Sequence, residues 1–85
     1  MRRYGAYGTR ELVSLLRCLG YIEQPQVGSR HLKYNPPFKL PKYVKPPFIL
    51  VIQNTTEYDP YWQREYIKQI KTHTFSISQI DKCFP

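Results

Sequence analysis

The segment PPFKLPKYVKPP, residues 36–47, sets five prolines and three lysines near the middle of an 85-residue chain. Proline locks its own φ and has no amide hydrogen to donate, so such a stretch resists helix and sheet alike and favours extended, polyproline-like backbone. No regular element can cross it. The expectation is a long, stiff and positively charged connection, with the secondary structure built on either side of it.

On the amino-terminal side, TRELVSLLRCLG repeats leucine at positions 12, 15, 16 and 19, the three-and-four spacing of one helical face. Thr9 suits the N-cap, Glu11 the positive end and Gly20 a left-handed stop. YIEQPQ and RHLKYN then read as two strands around VGS, with Pro25 placing the first at an edge or a bulge. Strand alternation puts Leu32 and Tyr34 on one face and His31, Lys33 and Asn35 on the other. Beyond the prolines, PFILVIQN is the most apolar strand signal and is expected at the centre of a small sheet. Asp59 and Pro60 open a second helix, along which Trp62, Tyr66, Ile67 and Ile70 form the core side and Arg64, Lys68 and Lys71 a basic stripe. In SISQIDKCF, Ser76 and Gln79 have capping-box spacing for a short last helix, with Ile77, Ile80 and Phe84 packing back. The fold class expected is α+β over one domain, residues 1–85: a three-stranded antiparallel sheet with helices packed on one face and the other face wet.

A chain of this size removes only about 60–65% of its unfolded surface from water. The core should be thin, with Tyr and Trp at its margins. Thirteen lysines and arginines against six acids leave a formal charge of +7, which favours a polyanionic partner through counterion release and also serves solubility. Cys18 and Cys83 fit no zinc or redox spacing and read as reduced thiols. The longest apolar run, FILVI, is far too short to cross a bilayer, and the start MRRYGAYGTRE lacks the apolar run of a signal peptide. A cytoplasmic setting and no membrane partner follow as expectations.

Catalytic motifs are few. The sequence has no glycine-rich phosphate loop and too few acids and histidines to cage a divalent ion, so no metal and no cofactor are expected. Metal-free RNA cleavage needs only a base for the ribose 2′-hydroxyl and fixed positive charge near the phosphate. An imidazole with the ordinary pKa of about 6.5 is mostly neutral at pH 7 and can be that base. His31, flanked by Arg30 and Lys33, is the candidate. His73, near the end of the second helix, has a sufficient purpose as a cation at that helix's negative end.

The words ELVSLLRCLGY, VGSRHLKY and YIKQIK, in this order and spacing, resemble the HicA toxin family, also called the YcfA-like family, over about residues 9 to 84. The resemblance implies a fold similar to the double-stranded RNA-binding domain. It also implies an endoribonuclease that cleaves messenger RNA and is silenced by a HicB-type antitoxin covering its active site. The family's histidine falls on His31 and its Gly-Ser turn on Gly28 and Ser29. Phosphate and RNA binding then fall to Gly28, Ser29, Arg30, Lys33, Arg64, Lys68 and Lys71. The chain departs from the family in the segment 36–47, an insertion, and in IQNTTEYDP, where relatives often carry a Pro-x-His-like word. Two other readings stand beside the nuclease: an RNA-binding module that does not cut, and an interaction protein whose proline-rich segment docks on a partner.

Overall fold

The computed structural model describes residues 5–25 and 31–85. Its elements, in chain order, are α1 (Thr9–Cys18), β1 (Ile22–Gln24), β2 (His31–Asn35), β3 (Ile49–Ile52), α2 (Pro60–Thr72) and α3 (Ile77–Cys83). The strands make one antiparallel sheet in the order β1-β2-β3. The α+β class and the order of elements are those the sequence implies.

Alternation along β2 and β3 turns Tyr34, Ile49 and Val51 into a buried cluster with Leu12, Leu15 and Leu16 of α1, Tyr66, Ile67 and Ile70 of α2 and Ile80 of α3. The helices therefore cover one face of the sheet. Each leucine of α1 that is withdrawn from water contributes about 1.5–3 kcal/mol, and the three-residue and four-residue spacing is what lets them share that face. Caps delimit the helices as expected at Asp59, whose carboxylate accepts from the Trp62 amide at 3.1 Å, and at Ser76, which exchanges hydrogen bonds with Gln79. Gly20 takes a φ of +94° just beyond α1, a left-handed conformation that glycine adopts without a Cβ clash.

Thr9 is not the N-cap of α1. Gly8 holds that place, because any Cβ there would overlap the carbonyl oxygens of Thr55 and Thr56. The Thr9 amide donates to Thr55 O at 2.8 Å and its hydroxyl donates to Ile52 O at 2.6 Å, which ties α1 to the end of β3.

β3 is an edge strand, and β2 is the central one, contrary to the reading of FILVI as the sheet's middle. The outer edge of β3 is closed by side chains instead of a fourth strand. The Tyr66 hydroxyl donates to Leu50 O at 2.7 Å and accepts from Ile52 N at 3.0 Å, and the Tyr58 hydroxyl donates to Ile52 O at 2.8 Å. An apolar run can thus sit at an edge when helices supply its missing hydrogen bonds.

Tyr43 and Tyr61 are exposed, as expected of marginal tyrosines, but most of the described tyrosines are not marginal. Tyr7, Tyr21, Tyr34, Tyr58 and Tyr66 are all buried, and each hydroxyl has a partner. Large rings with a tethered polar tip share the small core with its leucines, isoleucines and valines.

Two further expectations are corrected. Cys18 and Cys83 are joined in a disulfide with Cα atoms 5.5 Å apart. They are 65 residues apart in sequence, but α1 and α3 pack together and bring them side by side. Residues 36–47 are not an extended connection: Val44 N donates to Pro41 O at 3.1 Å across a turn, Val44 is buried, and Phe38 packs on Phe75 with ring centroids 5.5 Å apart.

Candidate nucleic-acid interface

The uncovered face of the sheet carries the sequence's principal candidate. The register pairs His31 with Ile52 and Lys33 with Leu50 on one side of β2, and Lys33 with Gln24 and Asn35 with Ile22 on the other. The period of two then puts all seven on one face, opposite the buried Tyr34, Ile49 and Val51. His31 is exposed there, as the alternation implied. Lys33 follows one same-face step along the strand, about 7 Å away, with its ammonium 4.5 Å from the centroid of the Phe48 ring. A cation held over an aromatic face is partly ordered before any ligand arrives.

This face is less polar than a wet sheet surface was expected to be. Ile22 is 60% exposed and Leu50 is 40% exposed. Apolar and aromatic surface beside fixed cations is the composition that holds unstacked bases and their phosphates.

The structure does not gather all of the residues the sequence nominated. Gly28, Ser29 and Arg30 lie outside the described residues. Arg64, Lys68 and Lys71 are exposed on α2, set roughly a third of a turn from its buried residues at 100° per residue. They belong to the helical layer, whereas His31 and Lys33 belong to the open sheet face. Only His31 and Lys33 are brought together there.

The role of His73 differs from the one its place near the end of α2 implied. It is no cation at a helix end. It caps α2 but is 1% exposed, and its ring nitrogens are both engaged: Nδ1 lies 2.8 Å from the Tyr21 hydroxyl and Nε2 lies 2.8 Å from Pro46 O. A carbonyl can only accept, so Nε2 carries the hydrogen and Nδ1 accepts from Tyr21. Burial pushes the His73 pKa below its ordinary value, partly offset by the bond to Pro46 O, and the ring is neutral. Burial raises the Tyr21 hydroxyl likewise. A small cavity of about 190 Å³ beside His73 is lined by Lys45, Glu65 and Lys68 among others, too small for a polymer to reach a ring already doubly bonded.

A second feature went unseen in the sequence: the proline-rich segment walls a groove of about 440 Å³ against β2, lined by Lys33, Asn35, Phe38, Lys39 and Phe48 among others. The signal available was the pair of phenylalanines next to the prolines. Among the described residues no group of three His, Cys, Asp or Glu side chains is placed to hold a metal ion, and no helix is long and apolar enough to cross a membrane. Comparison of the chain with protein-family models, curated proteins and solved structures finds no match.

Proposed function

We propose that the chain is a metal-independent endoribonuclease of the HicA toxin type, acting on messenger RNA, with His31 as its general base. The observation that carries this reading is an exposed imidazole on the uncovered face of a sheet, with the Lys33 ammonium on the same face. The word GSRH in register after α1, the order of elements and the α+β arrangement, similar to a double-stranded RNA-binding domain, support it.

In this mechanism His31 accepts the proton of a ribose 2′-hydroxyl as that oxygen attacks the adjacent phosphorus. The bond from phosphorus to the 5′-oxygen breaks, a 2′,3′-cyclic phosphate remains, and the departing oxygen takes a proton from solvent. Lys33 faces the oxygens on which negative charge grows. Arg30, next to His31 in sequence, is assigned to the same phosphate, with Gly28 and Ser29 shaping the approach. Arg64, Lys68 and Lys71 hold more distant backbone of a folded or ribosome-bound message. A HicB-type antitoxin would silence the enzyme by covering the open face. The reading places the protein in the cytoplasm, where the Cys18–Cys83 bridge is reduced, so cleavage should persist in a thiol reductant.

Purified wild type and His31→Ala, each with chelator and reductant, should be compared on a defined messenger RNA. Cleavage is expected from the first and a loss of about a hundredfold or more from the second. Equal activity would sink the assignment. The second reading, an RNA-binding module that does not cut, is favoured by the separation of the α2 stripe from His31; it predicts bound RNA and no products from either protein.

A further inference from the structure

We propose that the groove between β2 and residues 36–47 is a subsite for one nucleotide unit of single-stranded RNA, its base against Phe38 and its phosphate between Lys33 and Lys39. This rests on the RNA reading above and gives the inserted segment a purpose in it.

Volume, charge and surface chemistry converge on that occupant. About 440 Å³ lies within the range of sites for small organic groups, roughly 300–1,000 Å³. The charged side chains that line it are the two lysines, with no acid among them, so an anion is the complement. Lys33 is held over the Phe48 ring, which lowers the entropy lost when it pairs with a phosphate. Phe38 is braced from behind by Phe75 yet remains 44% exposed, a fixed ring with an open surface. Stacking of a base on such a ring is worth about 1–3 kcal/mol and tolerates any base. The Asn35 amide can donate to and accept from a base edge.

A peptide fits less well. The strand residues of the groove belong to β2, whose backbone is paired on both sides, so an extended peptide finds no ladder to join. Pro36 and Pro47 complete the walls and offer no amide hydrogens to it. A nucleotide needs neither. Because Lys33 stands one same-face step from His31 on β2, a strand seated in the groove runs past the imidazole, which makes the segment a positioning wall for the scissile bond.

The experiment is fluorescence anisotropy of a labelled oligouridylate tetranucleotide with the full chain, comparing wild type, Lys39→Glu and Lys42→Glu. Lys39 and Lys42 are both exposed in the same segment, and only Lys39 lines the groove. Lys39→Glu should weaken binding about tenfold or more, and Lys42→Glu less than about threefold. Equal losses at positions 39 and 42 would mean a diffuse electrostatic surface and would overturn the subsite, as would wild-type affinity in Lys39→Glu. Cleavage of messenger RNA without tetranucleotide binding removes the subsite and leaves the nuclease; binding that responds to Lys39→Glu without cleavage keeps the subsite and removes the nuclease. An acidic peptide that displaces the tetranucleotide more effectively than uridine monophosphate would also overturn it.

Discussion

His73 and His31 illustrate how differently two histidines of one small chain can be used. His31 meets solvent on a strand face. His73 is enclosed by Tyr21 and Pro46, with Lys45, Glu65 and Lys68 the charged groups around the neighbouring cavity. Since burial holds its folded pKa below the ordinary 6.5 or so, the unfolded chain binds the extra proton first. Stability from the neutral ring is therefore complete above about pH 6.5 and is lost as pH falls from there through the depressed folded value. Denaturant melts between pH 7.5 and 5 should show this decline, and His73→Gln should flatten it. His73→Ala should cost about 3 kcal/mol, since it leaves the Tyr21 hydroxyl and the Pro46 carbonyl buried without their partner. Alternation in RHLKYN was enough to read the outward direction of His31. Nothing near TH in sequence announces Tyr21 or Pro46, which are 52 and 27 residues away.

Among the elements, the starts of α2 and α3 were the most legible, because capping chemistry is local: Asp59, Pro60, Ser76 and Gln79 act where the sequence places them. The position of β3 was not. Its four apolar residues satisfy the composition of a central strand, and only the long-range hydroxyls of Tyr58, Tyr66 and Thr9 explain how it survives at an edge. Tyr66 has its hydroxyl pKa raised to about 12 by burial, in keeping with a neutral group that donates to Leu50 O and accepts from Ile52 N. Tyr66→Phe keeps the ring and removes both bonds, and should cost about 2 kcal/mol. Chemical denaturation measures that cost. Amide exchange should accelerate at Ile52, the donor that loses its acceptor, more than at the interior of β2.

The molecule as a whole is tied at two places that no local pattern reveals. The disulfide joins α1 to α3 across 65 residues, and on the loop-entropy account a closure of that length stabilises the fold by about 4 kcal/mol. Thermal melts with and without reductant should differ accordingly, and Cys18→Ser with Cys83→Ser should melt at the reduced temperature in both buffers. A melting temperature indifferent to reductant would mean that the helices hold together without the bridge. The expectation of separate thiols came from spacing rules, which cannot see that two helices whose ends lie 65 residues apart in sequence finish side by side. The second tie is the segment 36–47. It plugs the core with Val44, supplies the carbonyl that His73 binds and leans on Phe75 through Phe38. Excising it is consequently no neutral trimming: a shortened chain would confuse loss of a ligand wall with loss of folding. Tyr43, at the tip of its turn and 85% exposed, offers the opposite opportunity. A reporter dye attached there would ride on the wall without disturbing what the wall holds up, and its signal would register occupancy next door.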